Sequence, residues 1–135
     1  MTKHTITVAV AVLGSGAGPA DAACVYRLGE KTHTRIVELG THTANRAVTL
    51  AIADALTKQW LSRPTEIEVR TNNNTALAWI RDRDERAAEA TEATDRRNAE
   101  GIRVAFRKVT NGDLDLEAAR DALRVCAPID SGIAR

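Results

Sequence analysis

The sequence predicts an α/β domain with a five-stranded mixed sheet, in which three antiparallel strands are followed by two parallel additions. The first observation is the order of the patterns: three strands, a helix, a strand, one or two helices, a strand and a helix. Strand–helix–strand units imply parallel pairing through right-handed crossovers. The second is size, because 135 residues fit one domain, residues 1–135. With 44% hydrophobic but only 3% aromatic residues, the core must consist of Val, Ile, Leu and Ala.

The first three strands are predicted at residues 5–13, 22–28 and 32–39. A near-continuous β-branched and alanine run at 5–13 is typical of a strand buried on both faces. "GSGAGPAD" at 14–21 interrupts it, and "GEK" is a tight connection, so an antiparallel meander is expected. The apolar "ITVAVAVLG" followed by "ADAAC" also has the outline of a signal peptide. Threonines that alternate with Ile and Val favour the strand.

A helix is predicted next, over 43–61, because alanine and aliphatic residues recur there at helical spacing. Thr43 is its N-cap, and "SRP" at 62–64 stops it. "EIEVRT" at 66–71 alternates apolar and charged residues, as a strand with one solvated face does. A short helix over about 73–81 follows.

The last third begins with a charged, alanine-rich stretch at 82–99 that predicts a solvated helix, packed lightly through its alanines. Two acid-first pairs at i,i+4, Asp82 with Arg86 and Glu92 with Arg96, support it. "IRVAFRKV" at 102–109 predicts the last strand. A closing helix over 114–126 has Asp113 as its cap, and its apolar stripe consists of Leu116, Ala119 and Leu123.

Composition argues against several classes of function. The net charge is +1, from 19 basic and 18 acidic residues, so no global field attracts nucleic acid or anionic membrane. No apolar run approaches the ~20 residues of a membrane span. Cys24 and Cys126 form no CxxC pair, and the spacing of His4, His33 and His42 adds no metal motif. We therefore expect no metal or other cofactor, and two buried thiols in a reducing, cytoplasmic compartment.

Several stretches, taken in order, resemble the ribonuclease H family (type 1). "GSGAGPADAACVYRLGE" is similar to its first hairpin, and "THTANRAVTLAIADAL" to its "T-x-N-R-A-E-L-x-A" helix start. "IEVRTNNNTALAWI" is similar to the strand that ends in an aspartate and leads into a helix, and "RDALRVCA" to the terminal helix. The resemblance runs over essentially the whole chain, and only the stretch 43–56 is specific by itself. It implies the ribonuclease H fold.

Enzymes of this family cleave the RNA strand of RNA–DNA hybrids with two magnesium ions, which require clustered carboxylates. The resemblance maps their acids onto this chain residue by residue. The acid of the first strand falls on Leu13, the helix glutamate on Val48, and the second-strand aspartate on Asn72. Leucine and valine are not ligands, and an amide oxygen is a poor substitute for a carboxylate. Leucine and valine at these positions are also expected to enlarge the core.

The fourth acid has a counterpart in Asp121, with Glu117 and Asp113 as less natural candidates. The histidine that follows the last strand in many members is absent, and "TNGD" stands in its place. The resemblance therefore implies a catalytically inactive member of the family.

An inactive domain of this kind could still bind RNA–DNA hybrid or double-stranded RNA. In the family an asparagine pair before the helix contacts the nucleic-acid backbone, and here that pair is Ala44 and Asn45. The candidate contacts are Asn45, Arg46, Asn72, Asn73, Arg103 and Arg107. Two alternatives remain open. One is a protein-interaction or assembly domain, including a homo-oligomer. The other is an enzyme of another kind that uses Ser15 or Cys24 with His33 and His42.

Overall fold

The computed structural model describes residues 3–14, 16–58 and 64–133, with side chains described as far as Val125. Its strands are β1 (Lys3–Val12), β2 (Ala17–Leu28), β3 (Lys31–Thr43), β4 (Glu66–Thr71) and β5 (Arg103–Lys108). They form one sheet in the order β3-β2-β1-β4-β5. The β1–β2 and β2–β3 pairs are antiparallel, whereas β1–β4 and β4–β5 are parallel. The predicted fold class is confirmed.

The described residues also form four α-helices and one 3-10 turn. The helices are α1 (Ala44–Thr57), α2 (Asn74–Arg81), α3 (Ala88–Ala99) and α4 (Leu114–Ile133), with the 3-10 turn at Glu85–Ala87. Polar side chains fix three of the starts: Thr43 caps α1, Asn73 caps α2 and Asp113 caps α4. Each cap oxygen accepts a hydrogen bond from the backbone N–H three residues further on. None of the helices in the described part of the chain is long and apolar enough to cross a membrane.

The core lies on both faces of the sheet because side chains alternate along each strand. On one face, Ile6 and Val8 pack with α1, α2 and α3 through residues such as Ile52 and Leu56. On the other face, Ala9 and Val25 pack against the predicted stripe of α4. The stripe residues are all buried: Leu116 0%, Ala119 0% and Leu123 5% exposed. Most of the largest fully buried side chains are aliphatic, as composition predicts, and His4 and Thr7 are the exceptions among them.

The first hairpin is longer, and its loop shorter, than predicted. β2 begins at Ala17 rather than at residue 22, so only Leu13 to Gly16 separate it from β1. Gly14 and Gly16 adopt φ values of 83° and 85°, which side-chain-bearing residues rarely reach. The two glycines thus allow a tight turn, whereas the glycine-rich sequence at 14–21 had predicted a longer loop. Ser15, between them, lies outside the described residues.

Three further boundaries differ from expectation, and one of the two predicted ion pairs forms. β3 continues to Thr43 through a bulge at Leu39, and α4 continues past residue 126 to Ile133. α1 ends at Thr57, and the first two residues of the predicted "SRP" stop lie outside the described residues. Glu92 pairs with Arg96 at 3.2 Å as predicted.

The predicted pair of Asp82 with Arg86 does not form, because each residue has a nearer partner. Asp82 pairs with Arg81, and Arg86 pairs with Asp84. The alanine packing of the charged stretch is confirmed, since three of its alanines are buried. They are Ala87 at 0%, Ala90 at 0% and Ala93 at 4% exposure.

Candidate nucleic-acid interface

The candidate interface lies at the carboxyl edge of the sheet, where β4 ends and two helices begin. Asn73 follows β4 and caps α2, while Asn45 occupies the second position of α1. The Nδ2 of Asn73 donates to the Oδ1 of Asn45 at 2.9 Å. This bond holds the starts of α1 and α2 side by side. Their unsatisfied N–H groups and positive dipole ends therefore face the same region.

Asn73 also makes two local hydrogen bonds. Its Oδ1 accepts from the N–H of Ala76 at 2.8 Å, which caps α2. Its own backbone N–H donates to the Oγ1 of the buried Thr71 at 3.4 Å. The side chain of Asn73 is thus fully committed to joining the strand to both helices. Asn45, whose carbonyl oxygen accepts the bond from Asn73, presents an amide NH₂ with no partner among the described residues.

Asn72 belongs to a second set of amide contacts, with Asn111 in the turn after β5. Its Nδ2 donates to the Oδ1 of Asn111 at 3.3 Å, and Arg120 of α4 donates to the same oxygen at 3.0 Å. A guanidinium has no acceptor, so the oxygen of Asn111 must face Arg120. Neither Asn111 nor Arg120 was among the residues singled out from sequence. The Asn-Gly pair at 111–112 was the available signal, since it marks an exposed turn.

Of the two mapped residues that were expected to enlarge the core, Val48 lies in the core and Leu13 does not. Val48 is 2% exposed and packs in the main core. Leu13 is 59% exposed, so the expectation that it enlarges the core is wrong. It lies past the end of β1, and its N–H donates to the carbonyl of Pro19 at 3.0 Å.

The strand register shows how far Leu13 lies from the carboxyl end of β4. Thr7 pairs with Arg70 in the parallel ladder, and continuing that register places Ala9 level with Asn72. Leu13 is four residues further along, about 13 Å at the rise of a strand. The residues of β1 nearest the carboxyl end of β4 are therefore apolar, and they are either small or branched.

Asp121 lies on the exposed side of α4 and pairs with Arg124 at 3.2 Å. α4 packs on the sheet face opposite to α1, the helix that carries Val48. The structure therefore does not bring the four mapped positions into one polar cluster. In the described ranges, no group of three His, Cys, Asp or Glu side chains is arranged to hold a metal ion.

The three candidate arginines differ in how their charge is used. Arg46 donates two hydrogen bonds to the carboxylate of Glu89, at 2.7 and 2.6 Å, and these bonds lower the pKa of that carboxyl group. Arg103 pairs with Glu66 at 2.6 Å, at the opposite end of β5 from the amide clusters. Arg107 is exposed, lies beside Arg70 in register, and has no ion pair among the described side chains. Arg107 is thus the arginine most available to a ligand.

The residues of the alternative enzyme hypothesis do not form a nucleophile–base pair in the described part of the chain. Cys24 is fully buried, and its burial raises the pKa of the thiol to about 12, so it stays protonated at neutral pH. His33 is exposed on the edge strand β3. The Nε2 of His42 lies 2.8 Å from the carbonyl oxygen of Leu39.

Comparison with known proteins finds likeness in three dimensions only. No family model matches the sequence, and no curated protein matches it. The N-terminal RNase H domain of rv2228c from Mycobacterium tuberculosis superposes with a TM-score of 0.71 and 16% identity, over 96% of this chain and 99% of that one. RNase H1 of Halobacterium salinarum superposes with a TM-score of 0.70 and 17% identity, over 92% of this chain and 99% of that one. LC11-RNase H1, in complex with an RNA/DNA hybrid, superposes with a TM-score of 0.62 and 20% identity, over 89% of this chain and 99% of that one. The chain therefore has the ribonuclease H fold.

Proposed function

We propose that this domain binds nucleic acid, either RNA–DNA hybrid or double-stranded RNA, at the carboxyl edge of its sheet and does not cleave it. The observation that carries the proposal is the Asn73–Asn45 bond, which joins two helix starts at the end of the sheet where β5 also ends. The fold is shared with RNase H1 structures, one of which is a complex with an RNA/DNA hybrid.

The groups at this edge suit contacts to phosphate and sugar. The amide NH₂ of Asn45 and the first N–H groups of α1 and α2 are donors without acidic neighbours in direct contact. Arg107 adds an exposed positive charge at the end of β5. Such donors position a nucleic-acid backbone and do not read base sequence. The expected ligand is consequently a duplex recognised by shape and by its 2′-hydroxyl groups.

The proposed lack of cleavage rests on the chemistry of the side chains at the mapped positions. Two-metal hydrolysis needs carboxylates to hold both ions and to offset their charge. Val48 offers no oxygen, and the amide of Asn72 is hydrogen-bonded to Asn111. We expect no cleavage of hybrid with Mg²⁺ or Mn²⁺. Cleavage that disappears in Asn72→Ala would overturn this part of the proposal.

Fluorescence anisotropy with labelled hybrid, double-stranded RNA and double-stranded DNA tests the binding. Affinity for the first two should fall steeply as salt rises, because phosphate contacts release counterions. Arg107→Ala should weaken binding and reduce the salt slope by about 1.

Arg103→Ala is the matched control, because it removes the same side chain from the same face of the same strand. Its charge is already paired with Glu66, so binding should not change. The proposed surface is wrong if both variants lose affinity equally, and the proposed function is wrong if no duplex binds at low salt.

The alternative, an assembly domain, is favoured by large apolar side chains at the surface. Leu114, Val125 and Leu13 are 79%, 64% and 59% exposed. If such contacts drive association, static light scattering should show an oligomer that Leu114→Lys dissociates. A protein that stays monomeric at high concentration and binds hybrid would remove this alternative.

A further inference from the structure

The turn between β5 and α4 places an asparagine directly before a glycine in an open position. The N–H of Asp113 donates to the carbonyl of Thr110 at 3.0 Å, which closes the turn. Asn111 and Gly112, its central residues, are both exposed. This is the one Asn-Gly pair in the sequence. A Cβ added at Gly112 would meet no atom within 4 Å, so the space around this glycine is open.

The same asparagine has two donors directed at its side-chain carbonyl oxygen. Arg120 donates to Oδ1 at 3.0 Å and Asn72 donates to it at 3.3 Å. Such donors withdraw electrons from the carbonyl carbon Cγ. They also stabilise the negative charge that forms on the oxygen when a nucleophile adds to that carbon. The arrangement has the form of an oxyanion hole around the amide of Asn111.

We propose that Asn111 is a site of self-deamidation that the fold promotes through Arg120 and Asn72. The backbone nitrogen of Gly112 loses its proton to a base in solution and bonds to Cγ of Asn111. The Cγ–Nδ2 bond then breaks, and the amide nitrogen leaves as ammonia after taking up a proton. One water molecule opens the cyclic imide at either carbonyl and yields aspartate or isoaspartate. The reaction consumes one water, releases one ammonia and involves no oxidation or reduction.

The product carries a new carboxylate between Arg120 and Asn72. In the aspartate product both donors can keep their bonds to it, and the bond to Arg120, which is charge-assisted already, becomes an ion pair and is stronger. One negative charge is thereby added at the carboxyl edge of the sheet. If the proposed function holds, this charge repels the phosphate backbone and lowers affinity for hybrid; this consequence, unlike the reaction, rests on that function.

The reaction is tested by peptide mass spectrometry on the full chain, incubated at mildly alkaline pH either folded or unfolded in urea. We expect Asn111 to deamidate faster in the folded protein than in the unfolded chain, whereas Asn98, within α3, should react more slowly when folded. Arg120→Ala should remove the acceleration in the folded protein and leave the rate in urea unchanged. Gly112→Ala should slow the reaction in both states.

An equal or lower rate in the folded protein would overturn the proposal, as would an Arg120→Ala protein that retains the acceleration. Circular dichroism checks that each variant is folded. No nucleic acid takes part in the measurement, so its outcome is separate from that of the binding experiment.

Discussion

The two ends of the parallel strand pair β4–β5 differ in how their polar groups are satisfied. At the amino end, charges alternate and pair across strands. The Nζ of Lys3 lies 3.7 Å from a carboxylate oxygen of Glu66 and 3.5 Å from one of Glu68. A guanidinium nitrogen of Arg103 lies 2.6 Å from the other carboxylate oxygen of Glu66. The carboxyl groups here are neutralised by cations of the same sheet. This end offers few unsatisfied groups to a ligand.

At the carboxyl end, amides bond to amides, and two cations are left over. Asn73 donates to Asn45, and Asn72 donates to Asn111. Arg107 and Lys108 end β5 without an ion pair among the described side chains. The proposed function assigns recognition to the carboxyl end, with its donors and positive charge, and leaves the amino end to stability. The following variants test that division.

The largest expected effect on stability comes from Val48→Glu, which places a carboxylate beneath the carboxyl end of the β4–β5 pair. Val48 is 2% exposed in the core, so a buried polar group without partners should cost on the order of 4 kcal/mol in the free energy of unfolding. Urea denaturation measures it. Val125→Glu, at a helical valine that is 64% exposed, is the matched control and should have little effect. Recovery of the lost stability by Mg²⁺ would show that a metal site persists there.

A smaller loss is expected at the amino end from Arg97→Ala. Arg97 donates to the carbonyl oxygen of Leu56 at 2.6 Å and also to that of Lys58, and so satisfies the end of α1. Removing these charge-assisted bonds should lower the free energy of unfolding by about 2 kcal/mol. Duplex binding should not change. The neighbouring Arg96→Ala removes an exposed pair with Glu92 and should cost no more than about 0.5 kcal/mol. Loss of binding in Arg97→Ala without loss of stability would contradict the division.

The smallest of the three stability losses is expected from Asn73→Ala. Loss of the α2 cap should lower the free energy of unfolding by about 1 kcal/mol. Asn74→Ala changes the next asparagine, which is exposed and has no hydrogen bond from its side chain among the described residues. It should be nearly neutral in thermal unfolding. Because Asn73 also orients Asn45, its replacement should weaken duplex binding, whereas Asn74→Ala should not. Equal binding by both variants would show that the amide pair has only a structural role.

The order and type of the elements could be predicted because periodicity, caps and turn residues agree along the chain. Thr43 and Asp113 act as caps as their positions indicated, and the stripe of α4 is buried. What could not be predicted were lengths set by pairing. β3 runs to Thr43 because β2 provides a partner along its whole length, which no local pattern of β3 encodes.

The site was only partly predictable for a similar reason. The burial of Val48 could be predicted because the stretch 43–56 has a specific spacing. The exposure of Leu13 was not predicted because a local match of sequence does not show where β1 ends and the turn begins. Asn111 and Arg120 were missed because they meet only after β5 and α4 have folded onto the same end of the sheet.

The alanine surface of α3 has a consequence for how this helix is attached. Ala90 and Ala93 bury little area, so hydrophobic contact contributes only weakly there. The remaining attachment comes from Arg46 to Glu89 and from Arg97 to the end of α1. Ions screen the exposed pair of Arg46 with Glu89 but barely affect the aliphatic core. Raising ionic strength should therefore accelerate amide hydrogen exchange in α3 well before it does so in β1.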